Sequence, residues 1–265
     1  MLRNANRRTL ALAICLATLL LAAAQRTVAQ PGPGPRQVLS ARESAPIDLT
    51  GQWVAIVNED WRWRMRTPPK GDYSSVQTLN AAGRAVADEW DVSQDGSCLA
   101  YGAAGIMRMP TRLRIAWDGD DRLIIATDAG AQTRELHFGA AQGAHGMPAS
   151  LQGYSVARWE RTLPPPGPMG FTLPPGLAPP TNGGSLEVVT TNLREAWLRR
   201  NGVPYSAQTT LTEYFDRFDT PGGDQWFVVT SIVEDPLYHN GRFITSSHFR
   251  REDDESRWNP TSCRE

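Results

Sequence analysis

The chain has 265 residues, 40% of them hydrophobic, and its 27 basic and 28 acidic side chains leave a net charge of −1. That balance supplies neither the basic face that nucleic acid requires nor the charge that holds a protein on an anionic membrane, so neither is an expected partner. The length is enough for one sizeable core.

Residues 1–8 carry three arginines and no acid, Thr9 to Ala24 carry no charge, and small residues follow. A basic head, a short apolar run and small residues predict a signal peptide over 1–24 and a periplasmic or secreted protein. Arg7-Arg8 partly resembles a twin-arginine signal, so the general and twin-arginine routes both stand. Ile14 before Cys15 is too large for lipoprotein cleavage. Processing after Ala24 removes three of the 27 basic residues and none of the 28 acids, leaving a net charge of about −4. No later apolar run is long enough to predict a membrane span after processing. Cys98 and Cys263 remain, and two cysteines in an oxidising compartment predict one disulfide. Residues 25–46 read as a flexible leader and 47–265 as a single β-rich domain.

Leu49-Thr50-Gly51-Gln52-Trp53 opens the first predicted strand. Next, Trp61, Trp63 and Met65 alternate with Arg62, Arg64 and Arg66, which predicts a strand with one aromatic and one cationic face. Such a face is either a solvated outer surface or a basic stripe turned toward an anionic ligand or a carboxylate ladder in a barrel lumen. Asn80 is placed to cap a helix running to Trp90. Strands follow at Ile106–Met109, Arg112–Trp117, Arg122–Thr127, Gln132–Phe138 and Tyr154–Glu160, with Asp/Gly turns between several of them. The Pro- and Gly-rich stretch 162–184 cannot lie inside a sheet and reads as an insertion. Leu186–Thr191 resumes the β pattern, Leu193–Arg200 reads as a short helix or turn closed by Asn201-Gly202, and Thr209–Phe218 and Gln225–Glu234 form a hairpin around Pro221-Gly222-Gly223. Phe243–Arg250 is the last strand. The fold class is all-β, mainly antiparallel: a bent sheet or β-barrel of about ten strands with one short helix.

No catalytic motif stands out. His137, His145, His239 and His248 form no metal-binding spacing, and neither a GxSxG elbow nor a phosphate loop occurs, so no metal or cofactor is expected. Glu213 and Arg217 fall on one strand face with Leu211 and Phe215, as a structural ion pair or the polar end of a site. Nine tryptophans are mostly core by size, and a barrel lined by a few of them suits an apolar ligand.

Several segments together resemble a large family of secreted bacterial proteins whose activity is uncharacterised. They include Leu79-Asn80-Ala81-Ala82-Gly83, Trp90-Asp91, Ile106-Met107-Arg108, Gly153-Tyr154-Ser155-Val156-Ala157-Arg158-Trp159-Glu160, Thr190-Thr191-Asn192, Gly202-Val203-Pro204-Tyr205-Ser206, Thr212-Glu213-Tyr214-Phe215 and Glu234-Asp235-Pro236. The resemblance spans about residues 47–263 and implies a fold and an exported location, but no reaction. Two departures stand out: the insertion 162–184, and Tyr205 where many members have His. The Gly-x-Trp of the first strand also resembles the opening strand of lipocalin-like and avidin-like barrels.

The leading expectation is an exported barrel that binds a small apolar or anionic ligand through Trp61, Trp63, Arg108, Tyr154, Trp159, Glu213 and Arg217. One alternative is a metal-independent acid–base enzyme with Glu213 as base and Tyr205 or His248 assisting. The other is an envelope structural or interaction module tethered through 162–184.

Overall fold

The computed structural model describes residues 39–139, 146–161 and 183–264. The predicted signal peptide, most of the leader and insertion residues 162–182 lie outside them. Leu39 to Pro46, read as leader, are fastened to the domain: the Ala41 N–H donates to Asp121 Oδ1 at 2.8 Å, and the Trp159 indole N–H donates to the Ala41 carbonyl at 2.8 Å.

Among the described residues, the strands are β1 (Gly51–Ile56), β2 (Arg112–Trp117), β3 (Arg122–Thr127), β4 (Ala129–Gly130), β5 (Thr133–Phe138), β6 (Tyr154–Arg161), β7 (Gly184–Thr191), β8 (Ala196–Trp197), β9 (Pro204–Tyr205), β10 (Thr210–Asp219), β11 (Gln225–Glu234), β12 (Phe243–Glu252) and β13 (Thr261–Ser262). Nine of them close into a barrel in the order β1-β12-β11-β10-β7-β6-β5-β3-β2. All neighbours are antiparallel except β5 and β6, which run parallel through Leu136–Ser155, His137–Val156 and Phe138–Ala157. Trp53 lies opposite Arg251 on one side and Leu113 on the other, so β1 closes the ring.

Period-2 patterning explains the filling. Leu113 and Ile115, Leu123 and Ile125, and Leu211 and Phe215 all turn inward and are buried, while their neighbours face out. The lumen is packed: the Phe227 ring stacks on Phe249 at 4.8 Å and meets Trp53 edge-on at 4.7 Å. Phe138 packs against Trp117 and Trp159 at the end where β2 and β6 finish. At the opposite end a second apolar cluster, including Val76, Leu79, Leu198, Val203, Leu211 and Val233, covers the barrel with the loops and helices of 60–110 and 193–209. No helix among the described residues is long and apolar enough to cross a membrane.

Four predicted elements differ. The Trp61–Arg66 strand is instead a one-turn helix, α1 (Trp61–Arg64), entered from Asp60 in a left-handed conformation (φ 53°). Six residues of alternation do not distinguish a strand from a helical turn, and here the burial inverts: Trp61 is 60% exposed and Arg64 only 3%. The predicted cap stands, since the Asn80 side chain accepts from the Gly83 N–H at 2.9 Å, but the helix, α2 (Ala81–Ala87), stops short of Trp90. Any Cβ at Gly83 would sit 2.8 Å from the Tyr238 carbonyl, so this helix needs a glycine there. Ile106–Met109 is not a strand either; its start belongs to α3 (Ala103–Ile106), whose small residues let it sink into the cover. Leu193–Arg200 carries β8, which pairs with β9 across a turn where Gly202 has φ 81°.

The Cys98–Cys263 disulfide is present, with a Cα–Cα distance of 4.9 Å and a separation of 165 residues. It is reinforced by the Cys98 N–H donating to the Arg264 carbonyl and by the parallel pairing of β13 with β4.

Candidate functional site

Glu213 faces the lumen as its alternation with Leu211 and Phe215 requires, but its partner is not Arg217. Arg134, on β5, spans the lumen to hold both its oxygens, Nη1 to Oε1 at 3.1 Å and Nη2 to Oε2 at 2.5 Å, and both side chains are fully buried. Arg217 instead bonds Asp219 at 3.0 Å near the far end of β10. Tyr205 is also buried, and its hydroxyl has no partner among the described residues. Burial pushes that hydroxyl's pKa well above its ordinary value, although the nearby Arg134 charge opposes the shift. His248 alternates with the inward Ser247 and Phe249, so it lies on the outer face. The three residues of the acid–base alternative therefore do not converge on one accessible pocket, and Glu213 is already engaged by a guanidinium.

The predicted ligand contacts divide similarly. Tyr154 stands outside the barrel, stacked on His137 at 4.8 Å. Trp159 packs at the end closed by residues 39–46. Trp61, Trp63 and Arg108 do come together, at the covered end.

There α1 turns Arg64 inward, where Nε donates to the Arg108 carbonyl at 2.7 Å and Nη2 reaches Ser247 Oγ at 3.5 Å. Arg108 Nη2 donates to Asp60 Oδ2 at 2.8 Å, and its guanidinium lies over the Phe243 ring at 5.3 Å. Arg199 arrives from the loop after β8, with Nη2 3.7 Å from the same Asp60 oxygen and its guanidinium over the Trp63 ring at 5.9 Å. Three arginines, each less than a tenth exposed, thus gather where one carboxylate, itself 37% exposed in its side chain, meets two of them. Burial, reinforced by the Arg108 charge and partly offset by Asp60, lowers Arg64 to about 10 and Arg199 to about 9. Both therefore remain charged at neutral pH. Gathering guanidiniums away from water is unfavourable unless anionic partners offset it.

A groove of about 620 Å³ opens in front of this cluster, lined among others by Trp61, Arg62, Trp63, Arg66, Pro68 and Asp72. The Trp63 indole N–H is fixed on Asp72 Oδ2 at 3.0 Å. Hydrogen bonds from the Ser74 hydroxyl and from Trp63 hold the Asp72 carboxyl below its ordinary range, so it stays ionised. A second groove, about 680 Å³, lies across the 66–69 segment and reaches Lys70, Trp90 and Arg200. No group of three His, Cys, Asp or Glu able to hold a metal occurs among the described residues.

Comparison adds no relative. No protein-family model, curated protein or solved structure matched the chain.

Sequence reasoning reached Trp61, Trp63 and Arg108 but missed Asp60 and Arg199. Arg64 was visible in the cationic alternation, though assigned to a strand face. Arg199 carried only the weak signal of two arginines closing a turn.

Proposed function

We propose that this chain is an exported binding protein for a small, partly apolar anion, seated in the Trp61–Trp63 groove outside the filled barrel. The observation that carries the reading is the pairing of an aromatic-walled groove of about 620 Å³ with buried arginines behind it. Small-molecule sites run from roughly 300 to 1,000 Å³, with apolar walls and a few fixed polar groups. Trp61, held with its ring exposed on a one-turn helix, supplies the apolar wall; Arg62 and Arg66 flank it. The barrel serves as scaffold: its packed core fixes β12, and Ser247 of β12 bonds Arg64.

Export is part of the proposal. It is supported by the basic head and apolar run of residues 1–24 and by the disulfide, a bond that persists in oxidising compartments. Membership of the family of secreted bacterial proteins is proposed on the segments quoted above.

The test is mass spectrometry of protein purified from its own host, native against denaturing. A bound species lost on denaturation, and lost natively when Trp61 and Trp63 are both replaced by Ala, is the expected result. An unliganded native mass equal to the processed chain, or a bound species retained by the double variant, would overturn the groove as the site.

A further inference from the structure

Behind Trp63 lies a small chamber of about 20 Å³, walled by Trp63, Arg64, Arg108, Arg199 and Arg200 among others, with no acidic residue in its lining. It shares Trp63 with the first groove and Arg200 with the second. Arg199 lines the chamber, and two of its nitrogens, Nε and Nη1, are buried with no hydrogen-bond partner among the described residues. The Arg199 side chain is 3% exposed, and its remaining nitrogen, Nη2, makes only long approaches, 3.5 Å to the Ser75 carbonyl and 3.7 Å to Asp60. A buried cationic donor left unmet is strongly unfavourable, and charge-assisted bonds to an oxyanion are the strongest remedy.

From this geometry we infer that the chamber is an anion subsite that receives the carboxylate head of the ligand. Its size selects the class. A chamber of about 20 Å³ is small, which favours a flat, two-oxygen carboxylate over a bulkier tetrahedral sulfate or phosphate. Arg64 and Arg108 add charge without competing for the same bonds, because Arg64 is spent on neutral oxygens and Arg108 on Asp60. The remainder of the ligand rests on the groove reading; the anion itself does not.

The test uses formate, the smallest carboxylate, with sulfate at equal ionic strength as the contrast. Thermal unfolding and calorimetric titration of the intact, disulfide-bonded protein are the readouts. Formate at tenfold its Kd favours the folded state about tenfold, a rise of about 3–6 °C in Tm that sulfate does not give. Arg199→Met removes the response and Arg199→Lys keeps part of it. Bromide soaked into crystals gives an anomalous peak in the chamber, a readout that survives if Arg199→Met fails to fold. Equal shifts with formate and sulfate, no shift with either, or no bromide in the chamber would overturn the subsite and leave a purely structural arginine cluster. Formate binding without any native groove ligand would sink the groove reading alone.

Discussion

Replacing Glu213 by Gln removes one charge from the lumen and leaves the other. Arg134 is fully buried, makes both its close contacts to Glu213, and otherwise reaches only Thr190 Oγ1 at 3.5 Å, while its Nε has no partner among the described residues. Breaking a buried pair in this way destabilises by about 3–5 kcal/mol, because the guanidinium has no water to turn to. At roughly 2–4 °C per kcal/mol for a domain of this size, Tm falls by about 6–20 °C. Replacing both partners, Arg134→Met with Glu213→Leu, removes both desolvation penalties and recovers most or all of the loss. Urea unfolding followed by tryptophan fluorescence gives all three free energies, and adding Arg134→Met and Glu213→Leu singly completes a double-mutant cycle that gives the coupling. A loss below about 1 kcal/mol for Glu213→Gln, or a double variant no more stable than the single, would refute the reasoning and return Glu213 to consideration as a functional acid.

Two further outcomes follow from the structure. Replacing both Cys98 and Cys263 by Ser opens a loop of 165 residues and lowers stability by up to about 5 kcal/mol in the chain-entropy model, read as the difference in urea midpoint between wild type and variant; an unchanged midpoint would remove the bond from the stabilising contacts. Acid should weaken the fold in two stages. Burial holds the His239 ring below its ordinary 6.5: its Nε2–H donates to the Pro204 carbonyl, and its Nδ1 accepts from the Thr78 hydroxyl. The unfolded chain therefore takes that proton first, and stability falls as pH drops below about 6.5. Burial pulls the Asp235 carboxyl up, but N–H donors from Ser206, Leu237 and Tyr238 and the Thr209 hydroxyl outweigh it and hold the group below its ordinary value. Its contribution is thus complete above about pH 4 and lost as pH falls through the lowered value. His239→Gln should flatten the first stage and Asp235→Asn the second; a stability profile level from pH 7 to pH 5 in the wild type would contradict the first.

The barrel was legible wherever side chains simply alternate across a pleat. Leu211, Glu213 and Phe215 were assigned one face from their spacing, and that face is the lumen. The partner of Glu213 was not legible, because Arg134 lies 79 residues earlier and only the curvature of the barrel, with β6 and β7 between them, brings β5 across from β10. The Trp61–Arg66 segment failed for a local reason. A strand and a single helical turn both fit six alternating residues, and the choice is made by Asp60, whose carbonyl accepts the N–H groups of Trp63 and Arg64. The arginine cluster was only partly legible, since Arg64, Arg108 and Arg199 come from three separate segments that meet on one end of the barrel.

The ring is two antiparallel sheets, β1-β2-β3-β5 and β6-β7-β10-β11-β12, joined by the short parallel β5–β6 seam and the β1–β12 pairing. Within the second sheet and along β2-β3-β5, neighbouring strands follow closely in the chain, whereas β1–β2 sets Gly51 against Ile115 and β1–β12 sets Gln52 against Glu252. The second sheet and the β2-β3-β5 meander can therefore form from nearby pairings before the ring closes, with open edges until it does. Arg134 belongs to one sheet and Glu213 to the other, so their pair exists only once the halves have joined. Such a contact does little to speed folding and much to slow opening, which makes the ion pair a brake on unfolding.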